Sequence, residues 1–390
     1  MRVAVVDPSA YTPPYDHALC TELARLGLDV ELVTSRFLHG DPLVPDGYRV
    51  RDLFYRRTFG PPGSAIRTLS KLAAHPAGMV RLRRIAREAD LVHFQWLPVQ
   101  WLDALMLPPG PLVLTAHDLL PREARPGQAR SQRRLYAAAD AVVVHSEYGR
   151  RTLTSLGVDA AKVHVIHHGA FDHLAAPAGP AALPPELHDV GGPVVLFFGL
   201  LRPYKGLHVL LESWARLDRE PFWGDLGPGE LWVVGRPRMS LESLRRNAPA
   251  SVRFVPRFVS HGELQAVFRR ADVVVLPYSR TGRFDQSGVL ATALAFGKAI
   301  VLTDVGGFRE VADHAAARLV APDDPGSLAD ALVVLLGDPD ARRELESGAL
   351  LAARRSYSWR EAAAKTVRLY ARLMGTGPAP PEDPRQSRPR

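Results

Sequence analysis

Residues 272–304 read "DVVVLPYSRTGRFDQSGVLATALAFGKAIVLTD", and this stretch contains the two kinds of element that decide the fold. A short β-branched run opens it, an apolar segment rich in small residues follows, and a second β-branched run ends at Asp304. The outer runs have the composition of buried strands, and the middle segment suits a buried helix. Strand, helix and strand in this order predict a βαβ unit with parallel strands.

The same order of elements recurs along the whole chain. Short β-branched runs alternate with helix-like segments in the first half, and the pattern starts again after residue 192. The predicted strands are "RVAVVD", "DVELVTS", "LVHFQW", "PLVLTAHD", "AVVVHS", "PVVLFFG", "ELWVVG", "VRFVP", "DVVVLPY" and "AIVLTD". Since no Asn-Gly hairpin signal separates them, we predict an α/β protein with two open parallel sheets, each covered by helices on both faces.

Length and composition agree with two domains. The chain has 390 residues, 46% of them hydrophobic and 23% charged, which is enough to build two cores. A Pro/Gly/Ala-rich stretch between the halves predicts a linker, and a Pro-rich end predicts a disordered tail. The predicted boundaries are 1–173 for the first domain, 174–192 for the linker, 193–355 for the second domain, 356–374 for a closing helix and 375–390 for the tail.

Several protein classes are disfavoured. No apolar run approaches the ~18 residues of a membrane span, and the N-terminal apolar run is too short for a signal peptide. Cys20 is the only cysteine, so it forms neither an internal disulfide nor a multi-thiol zinc site. Asp338-Pro339-Asp340 precedes a helix, where aspartate is a common cap, so we interpret it as a cap and not as a metal site. We expect a cytoplasmic protein.

Ligands of open parallel sheets lie beyond the carboxyl ends of the strands. In "LFFGLLRPYKGLHVLLESW", residues 196–214, a strand ends at Gly199 and a helix follows Gly206, with Arg202 and Lys205 in the connection. A guanidinium fork and an ammonium point charge beside a helix start suit a diphosphate. The alternative is that both are solvated loop charges.

The opening stretch supplies a second anion-binding element. Ser287, Gly288 and Val289 are predicted to begin its helix, where backbone N–H groups and the positive end of the helix dipole face outward. Gly288 allows an anion to approach the backbone closely. The same diphosphate is the expected ligand.

These motifs, in this order, resemble those of the retaining GT-B glycosyltransferases of family 4, over nearly the whole chain. "GLLRPYKG" is similar to the family's Arg/Lys clamp, "ALAFGKAIVLTDVGGFREV" to its donor-site helix, strand and Gly-Gly turn, and "LTAHD" to its N-terminal histidine loop. The resemblance implies two Rossmann-like domains facing a central cleft, with the nucleotide sugar held mainly by the second domain and the acceptor mainly by the first. The last helix would return to the first domain.

The resemblance also implies a function. It is transfer, with retention, of a sugar from a nucleotide-diphosphate sugar to a glycan, lipid-linked or small-molecule acceptor, with no cofactor and no metal. Arg202, Lys205 and the helix start near Gly288 would stabilise the departing diphosphate. His117 matches the family's histidine near the transferred sugar, the alternative being a structural role. The nucleotide base would lie near Arg257 and Phe258.

The chain departs from the family at one place. The usual glutamate pair would fall on Phe284 and Thr292. Asp285 and Gln286, one and two positions further on, are expected to contact the donor sugar instead, and the Thr292 hydroxyl to contact the ribose. The loss of the pair leaves two alternatives open, a nucleotide-sugar epimerase or hydrolase of the same architecture and a catalytically silent sugar-nucleotide-binding protein.

The acceptor is expected near aromatic and histidine side chains of the first half. These are Tyr15 in "YTPPYDH" and His93 and Trp96 in "HFQW", where ordinary packing is the alternative.

The formal charge of +8 predicts anionic partners. Two segments of the first half carry much of the basic charge, "IRTLSKLAAHPAGMVRLRRIARE" and "PREARPGQARSQRR". They are consistent with peripheral association with the inner face of the plasma membrane or with a phosphorylated lipid acceptor, and equally with solvated helix faces. Nucleic acid is disfavoured because no recognised binding module accompanies the charge.

Overall fold

The protein contains two parallel sheets, one in each half, as the sequence predicts. The computed structural model describes residues 1–38, 44–61, 64–121, 126–177, 179–188, 190–218 and 227–376. Most of the predicted C-terminal tail, residues 377–390, lies outside the described residues, as do Arg122 and Arg125 of the second basic segment.

All strand pairs of the first sheet are parallel. Its strands are β1 (Arg2–Asp7), β2 (Asp29–Thr34), β3 (Arg49–Asp52), β4 (Leu91–Phe94), β5 (Leu112–Thr115), β6 (Ala141–Val144) and β7 (Val163–Val165). Their order across the sheet is β3-β2-β1-β4-β5-β6-β7. The order therefore reverses between β1 and β4, where a doubly wound sheet opens a crevice.

The second sheet repeats this plan. Its strands are β8 (Val194–Phe198), β9 (Glu230–Val234), β10 (Val252–Val255), β11 (Val273–Leu276), β12 (Ala299–Thr303) and β13 (Arg318–Val320). The order is β10-β9-β8-β11-β12-β13, so the corresponding reversal lies between β8 and β11. The sequence did not predict the short strands β3, β7 and β13.

The described helices lie between the strands and after the last one. In the first half they are α1 (Pro13–Arg25), α2 (Ala65–Ala86), α3 (Gln100–Met106), α4 (Gln128–Ala138), α5 (Glu147–Ser155) and α6 (Asp172–Ala175). In the second half they are α7 (Leu207–Leu217), α8 (Glu242–Arg246), α9 (His261–Arg270), α10 (Gly288–Ala295), α11 (Phe308–Ala312), α12 (Pro325–Gly337), α13 (Pro339–Arg354) and α14 (Trp359–Leu373). Between α6 and β8 the described residues form neither helix nor strand.

Each sheet is buried on both faces. Alternate residues of a strand point to opposite sides, and helices cover both sides. Val3 and Val5 of β1 pack in a core with residues of α1 and α14, whereas Ala4 and Val6 pack in another core with residues of α2. The same division separates the alternate residues of β8. This two-sided burial explains why the strands are continuous apolar runs.

Helix α14 follows the second half in sequence but packs on the first. The Tyr370 hydroxyl lies 2.6 Å from His93 Nδ1, and the Trp359 ring packs edge-on against Tyr15.

The N-terminus of α13 is capped by Asp338, whose carboxylate accepts hydrogen bonds from the N–H groups of Asp340 and Ala341. The interpretation of that aspartate as a cap is therefore confirmed. In the described part of the chain, no helix is long and apolar enough to cross a membrane.

Candidate active site

The carboxyl ends of β1, β4 and β5 border a cleft of about 350 Å³. Its wall includes Tyr11, Gln95, Trp96 and His117 from the first half and Arg202 from the second. The cleft lies at the strand reversal of the first sheet, which is where open parallel sheets place ligands. The structure thus brings together three residues that the sequence predicted at the site, namely Trp96, His117 and Arg202.

His117 is held on several sides. Its ring stacks on Trp96 with 4.9 Å between centroids and 12° between planes. Its Nε2 lies 3.1 Å from Gln95 Oε1, and its Nδ1 lies 3.4 Å from His145 Nε2. Burial lowers the pKa of His145 to about 3, so that ring is neutral at physiological pH. His117 therefore has a fixed ring orientation at the cleft wall.

Tyr15 and His93 do not line this cleft. Tyr15 is buried behind His117 and packs edge-on against it. His93 is buried between β4 and α14, with its ring nitrogens 2.6 Å from the Tyr370 hydroxyl and 2.7 Å from Thr115 Oγ1. Burial lowers the pKa of His93 to about 3. Both residues were expected near the acceptor, but each is packed in the interior, His93 because helices cover both faces of the first sheet.

Lys205 and the start of α10 meet beside the end of β8. A Cβ atom built on Gly199 would lie 3.0 Å from Lys205 Nζ and 2.9 Å from Val289 Cγ2, so both groups flank the same point. Gly199 has φ +100, which glycine adopts readily. Lys205 is only 6% exposed, and its Nζ lies 5.4 Å from the centroid of the Tyr278 ring. The ammonium group is thus oriented by its surroundings and is not a solvated loop charge.

Helix α10 begins at the predicted residues. Ser287 is its N-cap, and the Ser287 hydroxyl accepts a hydrogen bond from the Val289 N–H at 3.2 Å and lies 3.0 Å from the Tyr278 hydroxyl. Gly288, the first helical residue, is exposed. The N–H of Val289 is therefore engaged by the cap, and Gly288 is the point at which the helix start reaches the surface.

Arg202 links the two halves across the cleft. It precedes the 3₁₀ turn Pro203–Lys205, and its Nη2 donates to the Tyr11 hydroxyl at 3.3 Å. The Tyr11 ring lies 4.5 Å from the Trp96 ring. The guanidinium group therefore lies between the predicted donor elements of the second half and the aromatic wall of the first.

Asp285 does not line the cleft, where a contact with the donor sugar was predicted. Asp285 is fully buried, and its carboxylate accepts hydrogen bonds from the His145 N–H at 2.6 Å and from the Ser146 hydroxyl. Next to it, Phe284 forms a β-bridge with Asp118. Burial raises the pKa of Asp285 to about 7, although both hydrogen bonds oppose the shift. The expected sugar contact is thus replaced by a contact between the two halves.

A second carboxylate reaches the same place. Glu310 of α11 accepts hydrogen bonds from the N–H groups of Glu147 at 3.0 Å and Tyr148 at 2.9 Å, the first two residues of α5. Negative charge at a helix start is favourable because unpaired N–H groups and the helix dipole meet there. We call Asp285, Glu310 and the start of α5 the interdomain clamp.

Two positions of the interdomain clamp have no room for a side chain and are occupied by glycine. A Cβ atom on Gly149 would lie 2.8 Å from Asp285 Oδ2, and one on Gly307 would lie 2.6 Å from the Ser146 Cβ. Sequence reasoning missed Ser146, Glu310 and both contacts. Two features of the sequence could have indicated these contacts. One is the Gly306-Gly307 turn shortly before Glu310, and the other is the Ser-x-x-Gly pattern of Ser146 and Gly149 at the start of α5.

Gln286 and Thr292 also differ from expectation. Gln286 is buried, and its Oε1 lies 3.2 Å from the Ser287 N–H. The Thr292 hydroxyl donates to the carbonyl of Gly288 within α10 at 2.8 Å. A buried threonine in a helix commonly bonds back to the preceding turn, so this hydroxyl is not presented to a ribose.

Arg257 and Phe258, the predicted neighbours of the base, follow β10 at the edge of the second sheet. The Arg257 guanidinium pairs with Glu186 and Glu263, both at 2.9 Å or less. The Phe258 ring is 43% exposed, with the Arg236 guanidinium 5.5 Å from its centroid. Arg257 is therefore engaged in ion pairs, and Phe258 is a partly exposed ring next to Arg236.

The described residues contain no group of three or more His, Cys, Asp or Glu side chains arranged to hold a metal ion.

Comparison with known proteins matches both halves to family models. Residues 15–170 match Glycosyltransferase Family 4, and residues 192–338 match Glycosyl transferases group 1. The chain is 32% identical to D-inositol 3-phosphate glycosyltransferase of Xylanimonas cellulosilytica, over 93% of this chain and 91% of the relative. It is 33% identical to the protein of the same name from Kineococcus radiotolerans, over 91% and 89%.

Solved structures share the fold. Sucrose-phosphate synthase from Thermosynechococcus elongatus superposes with a TM-score of 0.70 at 21% identity, covering 97% of this chain and 100% of that chain. Anabaena HepE, solved in complex with UDP-glucose, superposes with a TM-score of 0.68 at 18% identity, covering 94% and 99%.

Proposed function

Because the chain belongs to the glycosyltransferases of group 1 and family 4, which have the GT-B fold, we propose that it transfers a sugar from a nucleotide-diphosphate donor to a small hydroxylated acceptor with retention of anomeric configuration. The observation that carries the proposal is the meeting of Lys205, Gly199 and the start of α10, with Arg202 in the adjoining cleft. This arrangement concentrates positive potential where two parallel-sheet domains face each other.

The donor diphosphate is the group that this potential fits. During transfer the bond between the sugar C1 and the diphosphate oxygen breaks, and negative charge develops on the departing oxygen. The acceptor hydroxyl oxygen bonds to C1, and its proton passes to the departing diphosphate oxygen. Oriented cations and N–H groups stabilise such charge more than they stabilise the ground state. Lys205 is suited to this role because surrounding groups already hold its ammonium group in place. The donor of the solved Anabaena relative makes UDP-glucose the first candidate.

The acceptor is proposed to be small and polar. A volume of about 350 Å³ is near the lower end of the roughly 300–1,000 Å³ of small-molecule sites. Aromatic Trp96 and the amide of Gln95 border it, and Gln95 Nε2 is buried without a hydrogen-bond partner among the described residues. A ring of hydroxyl groups would satisfy such a donor and pack on the indole. The names of the relatives make D-inositol 3-phosphate the first acceptor to test.

A transfer assay tests the function. The protein is incubated with nucleotide sugars, beginning with UDP-glucose, and with D-inositol 3-phosphate, and the product is analysed by mass spectrometry and by NMR of its anomeric proton. We expect a glycosylated product with the anomeric configuration of the donor. An inverted product would exclude retention. Consumption of the donor with no acceptor product would favour the epimerase or hydrolase alternative, and no consumption of any donor would favour the silent binding protein.

Transfer is also expected to proceed without a divalent cation. Arg202, Lys205 and the start of α10 supply the positive charge that the leaving group needs, so EDTA should leave the initial rate unchanged. The measurement compares initial rates with EDTA and with added Mg²⁺ at equal ionic strength, since salt alone screens charged ligands. A rate that disappears with EDTA and returns with Mg²⁺ would contradict this mechanism.

A further inference from the structure

One segment of the first half is basic throughout and contains no acidic residue. Residues 53–87 contain eight arginine and lysine residues and no aspartate or glutamate. The whole chain has 49 basic and 41 acidic residues, so 41 of each sign remain outside this segment. The formal charge of this segment, +8, equals the net charge of the whole chain, so the segment is strongly basic compared with the rest of the protein taken together. A single-sign stretch of this kind produces a local field that attracts an anionic surface.

Most of this segment is helix α2, and α2 exposes an apolar face. One side of the helix is buried, with His75, Gly78, Met79 and Leu82 in the core. The opposite side carries Ile66, Leu69 and Val80, which are 65%, 66% and 48% exposed. Ile66 and Leu69 are three residues apart, and Leu69 and Val80 are eleven apart. At 3.6 residues per turn, these spacings place all three side chains on one face of the helix. A surface helix ordinarily has charged residues there.

Segments next to α2 also carry exposed apolar side chains. Phe59, shortly before the helix, is 72% exposed. On the neighbouring α3, Trp101 and Leu105 are 61% and 75% exposed and lie four residues apart on one face. Helix α3 is fixed against α2 by the 2.5 Å contact between His75 Nε2 and Asp103 Oδ1. We call Phe59, Ile66, Leu69, Val80, Trp101 and Leu105 the outer apolar surface.

We propose that the outer apolar surface binds the headgroup region of an anionic lipid bilayer. Exposed Arg81, Arg84 and Arg87 lie beside it on the last turns of α2 and at its C-cap. Apolar side chains can enter the boundary between headgroups and acyl chains while neighbouring arginines reach lipid phosphates. Tryptophan suits this boundary because its ring is apolar and its N–H is polar. The combination of charge, apolar exposure and an interfacial aromatic favours an anionic bilayer, which offers phosphates and acyl chains side by side, over a protein partner.

Vesicle flotation tests this proposal. The full chain is mixed with vesicles of phosphatidylcholine alone or of phosphatidylcholine with phosphatidylglycerol. We expect flotation only with the anionic vesicles, weakened by added salt because screening shortens the reach of the basic charges. The Ile66→Glu/Leu69→Glu double variant should bind at least tenfold more weakly, since it places charge in the apolar surface. Leu351→Glu, at a 49% exposed position of α13, is the matched control and should bind like wild type.

The possible results distinguish a lipid bilayer from a second copy of the chain as the partner of the outer apolar surface. Absence of wild-type flotation at low salt, or equal binding by the double variant and wild type, would overturn the proposal. A wild-type dimer that dissociates in the double variant, without vesicle binding, would instead assign the surface to a second copy of the chain. Melting temperatures confirm that the variants fold, and transfer to a soluble acceptor should be unchanged because the substitutions lie outside the cleft.

Discussion

Replacing Arg202 by alanine or Lys205 by methionine is expected to reduce turnover by about 10²–10³-fold each, the loss seen when one preorganised donor to a developing oxyanion is removed. In the proposed mechanism both side chains oppose the charge that builds on the departing diphosphate. Methionine is chosen for Lys205 because the side chain is almost completely buried, and alanine would add the cost of a cavity to the loss of charge. The measurements are kcat with the active nucleotide sugar and the affinity for its nucleoside diphosphate.

Lys298→Met is the matched control for Lys205→Met. Lys298 lies beyond the other end of α10, where its Nζ donates to the carbonyls of Arg269 at 3.0 Å and Ala271 at 2.8 Å. This variant should lose stability but retain diphosphate affinity and turnover. If the Lys205 and Arg202 variants keep wild-type affinity and rate, the assignment of the diphosphate site is wrong.

The two sheets could be predicted from sequence because their central strands are apolar on both faces. Val194 and Leu196 enter one core and Val195 and Phe197 the other, so β8 is visible as a continuous apolar run. Edge strands lack this signal. All four residues of β3, Arg49–Asp52, have exposed side chains, and three of them are charged. Such a strand forms because it pairs with β2, and this pairing leaves no hydrophobic pattern in the local sequence.

The positions of candidate site residues were predictable where they depend on local sequence. Lys205 and Gly288 follow strand ends in sequence, so the βα connections themselves predict their position. Asp285 is different, since its role depends on His145 and Ser146, which lie 140 and 139 residues away in the chain. A sequence without its fold indicates a polar residue ahead of a helix but not whether that residue faces a ligand or another domain.

Asp285→Ala is expected to lower the free energy of unfolding by several kcal/mol and to reduce turnover. The substitution leaves the buried His145 N–H and Ser146 hydroxyl without their partner, and each such loss costs about 1–3 kcal/mol. Turnover should fall because the clamp holds His145, whose ring lies 3.4 Å from His117, against the second half. Affinity for a nucleoside diphosphate should survive, since Lys205 and Gly288 are unchanged.

A helix-capping aspartate provides the comparison. Asp338→Ala removes the cap of α13 and should cost about 1 kcal/mol without affecting turnover. Small-angle scattering should show a larger radius of gyration for Asp285→Ala and an unchanged one for Asp338→Ala. If the two variants have the same modest loss of stability and normal turnover, Asp285 is only a local structural residue. If Asp285→Ala keeps its compactness and stability but loses transfer, the original sugar contact is favoured.

Asp285→Asn should further change how stability depends on pH. Burial raises the pKa of Asp285 from 3.8 to about 7, with the charges of Glu310 and Asp118 acting in the same direction. Between these values the folded protein holds a proton that the unfolded chain has released, so stability falls as pH rises through this window. An amide cannot release that proton, so stability of Asp285→Asn should fall less between about pH 4 and 7. Urea unfolding of both proteins across this range measures the difference, and parallel curves would show that the carboxyl group does not titrate in the clamp.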